Sequence, residues 1–325
     1  MPVPTQKLFL LDAMALIYRA HFAFSKNPRI NSQGINTGAT LGFTNALVEV
    51  INKESPTHLV VAFDRATPTW RHQVYQAYKE HRLAQPEDIT VAIPYVKEIL
   101  KAFRIPVLES DGYEADDIIG TVAYQAVQAG FEVYMMTPDK DFAQLVDEHI
   151  YLYKPASMGH SVAVLGKQEV LAQWGITRVA QVRDILALQG DSVDNIPGIP
   201  TIGAKTAQKL IQQFGSVENL IAHADQLPGK LRENVVTYGP QGILSKELVT
   251  IHTDVPLQFD LAQSRYQGPD PEQLRAIFQE LEFRALTSRV LGEKRKPAPA
   301  APGSQAQLFE PTDQASSPED RKSVV

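Results

Sequence analysis

The sequence predicts an α/β fold with a mostly parallel central sheet flanked by helices. Short apolar segments that suit buried strands alternate with longer segments of helical periodicity. The strand-like segments are "KLFLL", "HLVVAF", "IPVLE" and "FEVYMM", and the helical ones include "GATLGFTNALVEVINK" and "IIGTVAYQAVQAG". Such alternation is typical of parallel strands joined by crossover helices, so we expect helices on both faces of the sheet.

The chain divides into three predicted regions. From about residue 167 the strand signals fade and short helical patterns such as "VAQVRDILALQG" take over. From residue 293 the sequence is rich in Pro, Ala, Ser and charge and lacks periodicity, as in disordered linkers. We therefore expect an α/β core over residues 1–166, a helical lobe over 167–292 and a disordered tail over 293–325.

Composition limits the kinds of site that the chain can hold. It has no cysteine, which excludes disulfide frameworks and thiolate zinc sites, so any metal must be held by oxygen or imidazole. The first apolar segment is interrupted by Asp12, and no stretch approaches the roughly 18 apolar residues that span a bilayer. We expect a cytoplasmic protein without a membrane segment.

The net charge of −6, from 37 acidic and 31 basic residues, argues by itself against a nucleic-acid partner. That argument weakens if many acids belong to one metal site, because bound cations then neutralise them locally.

Acidic residues stand where predicted strands end and helices begin. The carboxyl ends of parallel strands share one edge of a sheet, where sites commonly form. The acids at such positions are Asp12, Asp64, Glu114, Asp116, Asp117, Asp139, Asp141, Asp191 and Asp194. Each motif alone has an ordinary explanation, such as a helix cap, a surface charge pair or a turn. Together they provide enough oxygen ligands for two Mg²⁺ ions, with Mn²⁺ as an alternative.

A second motif, "TWRHQVYQAYKEHR", interleaves cations with aromatic rings. On a helix, Arg71, Tyr75, Tyr78 and Arg82 would form one stripe able to hold phosphates and unstacked bases. The alternative is an amphipathic surface helix whose tyrosines simply pack.

A third motif, "GIPTIGAKTAQKLI", places Gly198 and Gly203 around a turn that opens a helix carrying Lys205 and Thr206. Backbone N–H groups at such a helix start can hold a nucleic-acid phosphate. The alternative is an ordinary helix-turn-helix corner.

Taken in order, these motifs closely resemble the 5′-nuclease family, which includes the N-terminal domain of bacterial DNA polymerase I and flap endonucleases. The matching stretches cover roughly residues 7–292: "LLDAMALIYRAHFAF", "VVAFD", "WRHQVYQAYKEHR", "GYEADDIIG", "TPDKDFAQLV", "QGDSVDNIPGIPTIGAKTAQKLIQQFGSVENL" and "LEFRAL". The resemblance implies a PIN-like 5′-nuclease core, a helical arch around residues 70–90 and a helix-three-turn-helix at 196–214.

The resemblance also implies roles for individual residues. It places the nine acids on metal positions, the first four around one ion and the later ones around the other, with Asp117 near both. Lys79 matches the lysine on the scissile phosphate, with Arg82 beside it and Tyr78 as the nearby aromatic. We assign to Lys79 the stabilisation of developing charge.

Two positions depart from the family pattern. Thr201 stands where the family usually has Gly in the turn that grips the duplex and often holds K⁺ through backbone carbonyls. Ala13 stands where many members have Gly after the first aspartate.

In the tail, "QAQLF" resembles the short peptide that docks bacterial repair proteins on the sliding clamp, through Gln305, Leu308 and Phe309. The alternative is a chance apolar pair in a linker.

We expect a monomeric, Mg²⁺-dependent, structure-specific 5′-3′ exonuclease and 5′-flap endonuclease of replication and repair. Its expected substrates are DNA with 5′ ends, flaps or nicks and RNA primer–DNA hybrids, in the cytoplasm and associated with the nucleoid. No stretch resembles a polymerase, so it is either the nuclease part of a DNA polymerase I or a free-standing nuclease. A PIN-like RNase would lack the arch and the glycine turn, and a non-catalytic branched-DNA binding module would not need nine acids.

Overall fold

A computed structural model describes residues 6–156 and 161–292. Its six-stranded sheet has the order β3-β2-β1-β4-β5-β6. The first five strands are parallel and β6 is antiparallel to β5. The strands are β1 (Lys7–Asp12), β2 (His58–Ala62), β3 (Val107–Leu108), β4 (Glu132–Met136), β5 (Ile150–Lys154) and β6 (Ala163–Leu165). The predicted α/β fold with a mostly parallel sheet is confirmed.

Helices cover the sheet and then form the lobe. In the first part of the chain they are α1 (Ala13–Phe24), α2 (Gly38–Glu54), α3 (Trp70–Val74), α4 (Glu87–Ala102) and α5 (Ala115–Gln128). Those that follow are α6 (Lys167–Trp174), α7 (Gln181–Gln189), α8 (Ala204–Phe214), α9 (Val217–Ala222), α10 (Gly229–Val249), α11 (Pro271–Glu280) and α12 (Arg284–Leu291). Within residues 6–156 and 161–292, no helix is long and apolar enough to cross a membrane.

The central strand β1 shows why the sheet needs helices on both sides. Leu8 and Leu10 pack on the face that carries α5 and helices α6 to α10 of the lobe. Phe9 and Leu11 pack on the other face, against α1, α2 and α4. All four side chains are almost fully buried, so the segment reads as a continuous apolar run instead of alternating.

The structure differs from the sequence-based expectation at the sheet edge. Sequence analysis assigned no strand after β4, whereas β5 and β6 extend the sheet there. Strand β6 has three residues, too few to show a periodicity.

The predicted helical arch around residues 70–90 is helical only at its two ends, in α3 and in the first residues of α4. Helix α3 ends at Val74, because Tyr75 is extended, and further along Lys79 takes a left-handed backbone angle, φ +59°. Turns and extended chain then lead to α4. The predicted stripe of Arg71, Tyr75, Tyr78 and Arg82 on one helix face is therefore wrong.

The predicted tail and clamp peptide, with Gln305, Leu308 and Phe309, lie outside the described residues. The boundary expected at 166/167 stays a prediction. Helix α6, just after it, packs against β6 of the core.

Candidate active site

Asp12 joins the end of β1 to the start of α1. It caps α1 by accepting a hydrogen bond from the backbone N–H of Ala15 at 3.1 Å. Its second oxygen accepts from the hydroxyl of Thr137 at 2.9 Å. Because Thr137 follows β4, the neighbouring strand, both oxygens are fixed at one edge of the sheet.

Asp64 and Asp139 are held at the same edge by backbone groups. Asp64 follows β2 and accepts from the N–H of Ala115, the first residue of α5, at 3.0 Å. Asp139 follows β4 and accepts from the N–H of Asp141 at 2.9 Å. The acids that sequence analysis placed at strand ends thus lie on one rim.

Electrostatic coupling shows which acids the fold brings together. Burial, with repulsion from Asp64, raises the pKa of Asp12 to about 7. Burial raises the pKa of Asp116 well above its usual value, and repulsion from Asp12, Asp139, Asp64 and Glu114 adds to it. Asp116 therefore lies among Asp12, Asp64 and Glu114, and these four acids form a first group.

A second group of acids consists of Asp141 and its neighbours Asp139, Asp191 and Asp194. Burial raises the pKa of Asp141 to about 7, and repulsion from Asp139, Asp191 and Asp194 contributes. Its Oδ1 is buried and has no hydrogen-bond partner among the described residues. Lys140 lies 3.9 Å from this oxygen and 3.9 Å from Asp191. An unpaired buried carboxylate oxygen costs free energy unless a cation or proton satisfies it.

The donor set fits a hard divalent cation. Among the described residues, no three acidic or histidine side chains already converge on one coordination point. Mg²⁺ does not require such a cage, because one or two carboxylates and several retained waters suffice. Crowded acids with raised pKa values and an orphaned carboxylate oxygen are the groups that a divalent cation would relieve.

Cations of the arch lie directly against these acids. The Lys79 ammonium is 2.7 Å from Oε1 of Glu114 and 3.9 Å from Asp194. Arg82 pairs with Asp194 at 2.5 Å. The arch therefore brings positive charge to the rim where a phosphate would approach.

Tyr78, predicted to contact DNA, has a buried ring. Its side chain is 3% exposed, and its hydroxyl donates to Glu114 at 3.1 Å. His72 packs edge-on against the ring. The hydroxyl of Tyr78 therefore bonds an acid of the rim, and its ring does not face solvent.

The structure places Arg71 and Asp117 together in a buried ion pair. Arg71, predicted to bind DNA, is 3% exposed and forms a bidentate pair with Asp117 at 2.8 and 2.9 Å. Asp117, predicted as a metal ligand near both ions, is fully buried in that pair. Acids that connect the two groups electrostatically are instead Asp116 and Asp139.

The glycine turn of the lobe is closely packed. Gly198 has φ +62°, and a Cβ there would lie 2.6 Å from the backbone nitrogen of Gly190. Gly190 has φ +71°, and sequence analysis did not single it out. Its place at the end of α7 was the available signal, because glycine is common where helices end.

Past this turn, α8 begins at an exposed corner. Gly203 is its N-cap, and nothing lies within 4 Å of the position that a Cβ would occupy. Lys205 is exposed and Thr206 half-buried in the first turn of the helix. The structure thus presents a helix start and a lysine on one accessible surface.

Thr201 takes the left-handed angle that its family position suggested, φ +70°. Buried Asn234 donates to the Thr201 hydroxyl at 2.9 Å and to the Pro200 carbonyl at 3.0 Å. The side chain of α10 thereby supports a backbone angle that threonine adopts at a cost.

Sequence reasoning missed two residues that hold the site. Thr137 orients Asp12, and Gln144 bonds the segment that returns from the lobe. Thr137 stands between β4 and the "PDKD" acids, so its position was the one sequence feature that pointed to it. No sequence feature pointed to Gln144.

Comparison with known proteins gives independent matches. The family model described as 5′-3′ exonuclease, N-terminal resolvase-like domain, matches residues 7–175. The model described as 5′-3′ exonuclease, C-terminal SAM fold, matches residues 177–272. The two matches together cover the core, the arch and most of the lobe.

Two curated relatives span most of this chain. DNA polymerase I of Bacillus caldotenax is 40% identical over 297 residues, covering 90% of this chain and 33% of the relative. The 5′-3′ exonuclease of Aquifex aeolicus is 37% identical over 287 residues, covering 87% of this chain and 94% of the relative. The chain thus spans about a third of the polymerase relatives and nearly all of the exonuclease.

Solved structures share the fold. The T5 5′-exonuclease with bound divalent zinc ions aligns with a TM-score of 0.60 and 20% identity, covering 88% of this chain and 99% of that one. The catalytic core of Rad2 in complex with DNA substrate aligns with a TM-score of 0.57 and 18% identity, covering 88% and 91%. At these identities the likeness shows the fold.

Proposed function

Because the chain belongs to the 5′-3′ exonuclease family, we propose that it is a structure-specific nuclease acting at 5′ ends and 5′ flaps. The observation that carries this proposal is the rim where carboxylates from distant parts of the chain meet the cations of the arch. Hydrolysis of a phosphodiester requires positive charge around the phosphate and an activated water. The rim offers ligands and cations for both.

Divalent metal ions would be held by two groups of acids. The first contains Asp12, Asp64, Glu114 and Asp116, and the second contains Asp139, Asp141, Asp191 and Asp194. Bound there, Mg²⁺ would supply activation of water and stabilisation of the leaving oxygen. T5 5′-exonuclease has been solved with divalent metal ions, which supports the metal requirement.

The protein's own side chains position the phosphate. Lys79 and Arg82 extend from the arch over the acids and would donate to non-bridging phosphate oxygens. Their charge opposes the negative charge that develops during in-line attack by water. The products would be a 5′-phosphate and a 3′-hydroxyl.

The helical lobe would grip duplex DNA beside the cleavage site. Lys205, Thr206 and the exposed N-terminus of α8 provide phosphate contacts that read backbone position and not base sequence. The T5 flap endonuclease and Rad2 have been solved with DNA, which supports a DNA substrate. A K⁺ ion bound by carbonyls of the 198–203 turn is part of this proposal. One of those carbonyls, that of Pro200, already accepts a hydrogen bond from Asn234.

Wider roles follow from the polymerase relatives. The proposed role is removal of RNA primers and displaced strands. The protein would act as a monomer, in the cytoplasm and near the nucleoid. A polymerase elsewhere in the native protein, and clamp docking through residues 305–309, belong to the same proposal.

The test compares Mg²⁺-dependent cleavage of a labelled 5′-flap duplex with cleavage of single-stranded RNA. Asp116→Asn should abolish flap cleavage. The control is Asp147→Asn, because Asp147 is an exposed acid on the turn that precedes β5, at the opposite edge of the sheet. Preference for RNA without a junction would favour a PIN-like RNase, and DNA binding without cleavage would favour a binding module.

A further inference from the structure

Asp117 has no free acceptor left for a metal. Its Oδ1 accepts from Arg71 Nη2 and from the N–H of His252, both at 2.9 Å. Its Oδ2 accepts from Arg71 Nη1 at 2.8 Å, Trp70 Nε1 at 3.2 Å and the N–H of Glu114 at 3.2 Å. An ionised carboxylate offers about four lone-pair directions, and these donors use them all.

Arg71 is equally saturated. Besides its bidentate pair with Asp117, its Nε donates to the carbonyl of Leu248 at 2.9 Å and its Nη2 to that of Thr250 at 3.1 Å. Its Nη1 lies 3.4 Å from Oε2 of Glu114. Every N–H direction of the guanidinium therefore meets a protein oxygen.

The pair joins three parts of the molecule. Arg71 and Trp70 belong to α3 at the base of the arch, and Asp117 belongs to the first turn of α5. The ring of His252, in the segment that returns from the lobe, stacks on Trp70 at 4.1 Å. The same segment is bonded to α5 again where Val255 donates to Thr121 at 3.0 Å.

Two carboxylates compete for this one guanidinium. Asp117 holds it with two short hydrogen bonds, from Arg71 Nη1 at 2.8 Å and from Nη2 at 2.9 Å. Glu114 keeps the longer contact with Arg71 and is bonded by Lys79 and Tyr78 instead. If Asp117 lost its charge, Glu114 would be the nearest partner for a buried guanidinium, which is costly to leave unpaired.

We propose that Arg71 and Asp117 are positioning residues, and that Asp117 retains the guanidinium so that Glu114 stays available to the metal and Lys79. The inference rests on the proposed function because it presumes that Glu114 serves a metal site. Asp117 itself then binds no metal, although it lies in the acidic motif "GYEADDIIG".

The test measures binding of Mn²⁺, as a stand-in for Mg²⁺, to the DNA-free protein by electron paramagnetic resonance. We expect Asp117→Asn to weaken Mn²⁺ binding about tenfold, because Arg71 then draws Glu114 away from the site. Arg71→Gln should not weaken binding, although it removes the same ion pair. The double variant should recover to within about threefold of the wild type, since no cation remains to capture Glu114.

The position of the Arg71 side chain separates this contact from a general field effect, which added salt would not remove because buried charges are screened little. A crystal structure of the Asp117→Asn variant should show Arg71 bonded to Glu114. The matched control is the Lys246–Asp184 pair of the lobe, at 2.6 Å, where Lys246→Gln should lower the melting temperature without changing Mn²⁺ binding.

Several results would overturn the inference. If Asp117 were a direct ligand, the double variant would bind Mn²⁺ as poorly as Asp117→Asn. If the pair were merely structural, Arg71→Gln and Asp117→Asn would change Mn²⁺ binding in the same direction. Should Asp117→Asn fail to fold, weaker Mn²⁺ binding by Arg71→Gln alone would refute it. Failure of the wild type to cleave flaps would count against the proposed function separately, because Mn²⁺ binding is measured without DNA.

Discussion

The ammonium of Lys79 lies 2.7 Å from a carboxylate oxygen of Glu114. The backbone reinforces this relationship, since the N–H of Lys79 donates to the carbonyl of Asp194 at 3.0 Å. The left-handed angle of Lys79 turns the arch back toward the acids at this point. A cation and the acids that it faces are therefore held together by side chain and backbone alike.

Lys79→Met should lower kcat on a 5′-flap substrate by about 10²–10³-fold, because a positioned cation stabilises charge that develops in the transition state. The fold should remain intact, since Glu114 keeps contacts with Arg71 and Tyr78 when the ammonium is removed. Quenched-flow cleavage under single-turnover conditions measures the effect. Lys167→Met is the control, because Lys167 is also 2.7 Å from a glutamate, Glu148, which precedes β5 at the opposite edge of the sheet. A Lys79→Met rate within threefold of the wild type would contradict the assigned role.

Without metal, stability should fall as pH rises toward 8. The folded-state pKa values of Asp12 and Asp141 are raised to about 7, above the usual value near 4. Between these values the folded protein binds more protons than the unfolded chain, so their stabilising contribution is present below pH 4 and lost through pH 7. Thermal unfolding in EDTA should show this loss, and saturating Mg²⁺ should reduce it. Identical pH slopes for the wild type and an Asp12→Asn/Asp141→Asn variant in EDTA would argue against this explanation.

Two glycines of one turn should respond differently to alanine. Gly198→Ala combines φ +62° with a Cβ 2.6 Å from a backbone nitrogen, so we expect a loss of unfolding free energy above about 2 kcal/mol. Gly203→Ala meets open space at φ −87° and should cost less than about 1 kcal/mol. Urea denaturation measures both. Equal losses would mean that the tight approach of Gly190 and Gly198 does not govern the turn.

Asn234→Ala should lower the unfolding free energy by about 1–3 kcal/mol, because it removes the donor to the Pro200 carbonyl and the Thr201 hydroxyl. Since these bonds support the turn before α8, affinity for duplex DNA should weaken as well. Fluorescence anisotropy with a nicked duplex measures the second effect. The neighbouring Glu233→Ala is exposed and should stay within about 0.5 kcal/mol of the wild type. Unchanged DNA affinity in a destabilised Asn234→Ala protein would separate the turn from DNA binding.

Local pattern was sufficient for much of the fold. Strand β1 could be predicted because its residues are buried on both faces and form one apolar run. Helix α5 followed from its periodicity and from the acids of its first turn. The arch could not be predicted this way, because the chain leaves the helix at the extended Tyr75, and the left-handed Lys79 beyond it is bonded to the distant Asp194.

For the site, the sequence by itself determined which residue types stand at the carboxyl ends of the strands, and so which edge of the sheet carries the acids. The choice among those acids depended on tertiary structure. Glu114 and Asp117 are three residues apart and chemically alike, yet one faces Lys79 and the other is enclosed by Arg71, Trp70 and His252. Their different roles arise from donors up to 135 residues away in sequence, which no local pattern encodes.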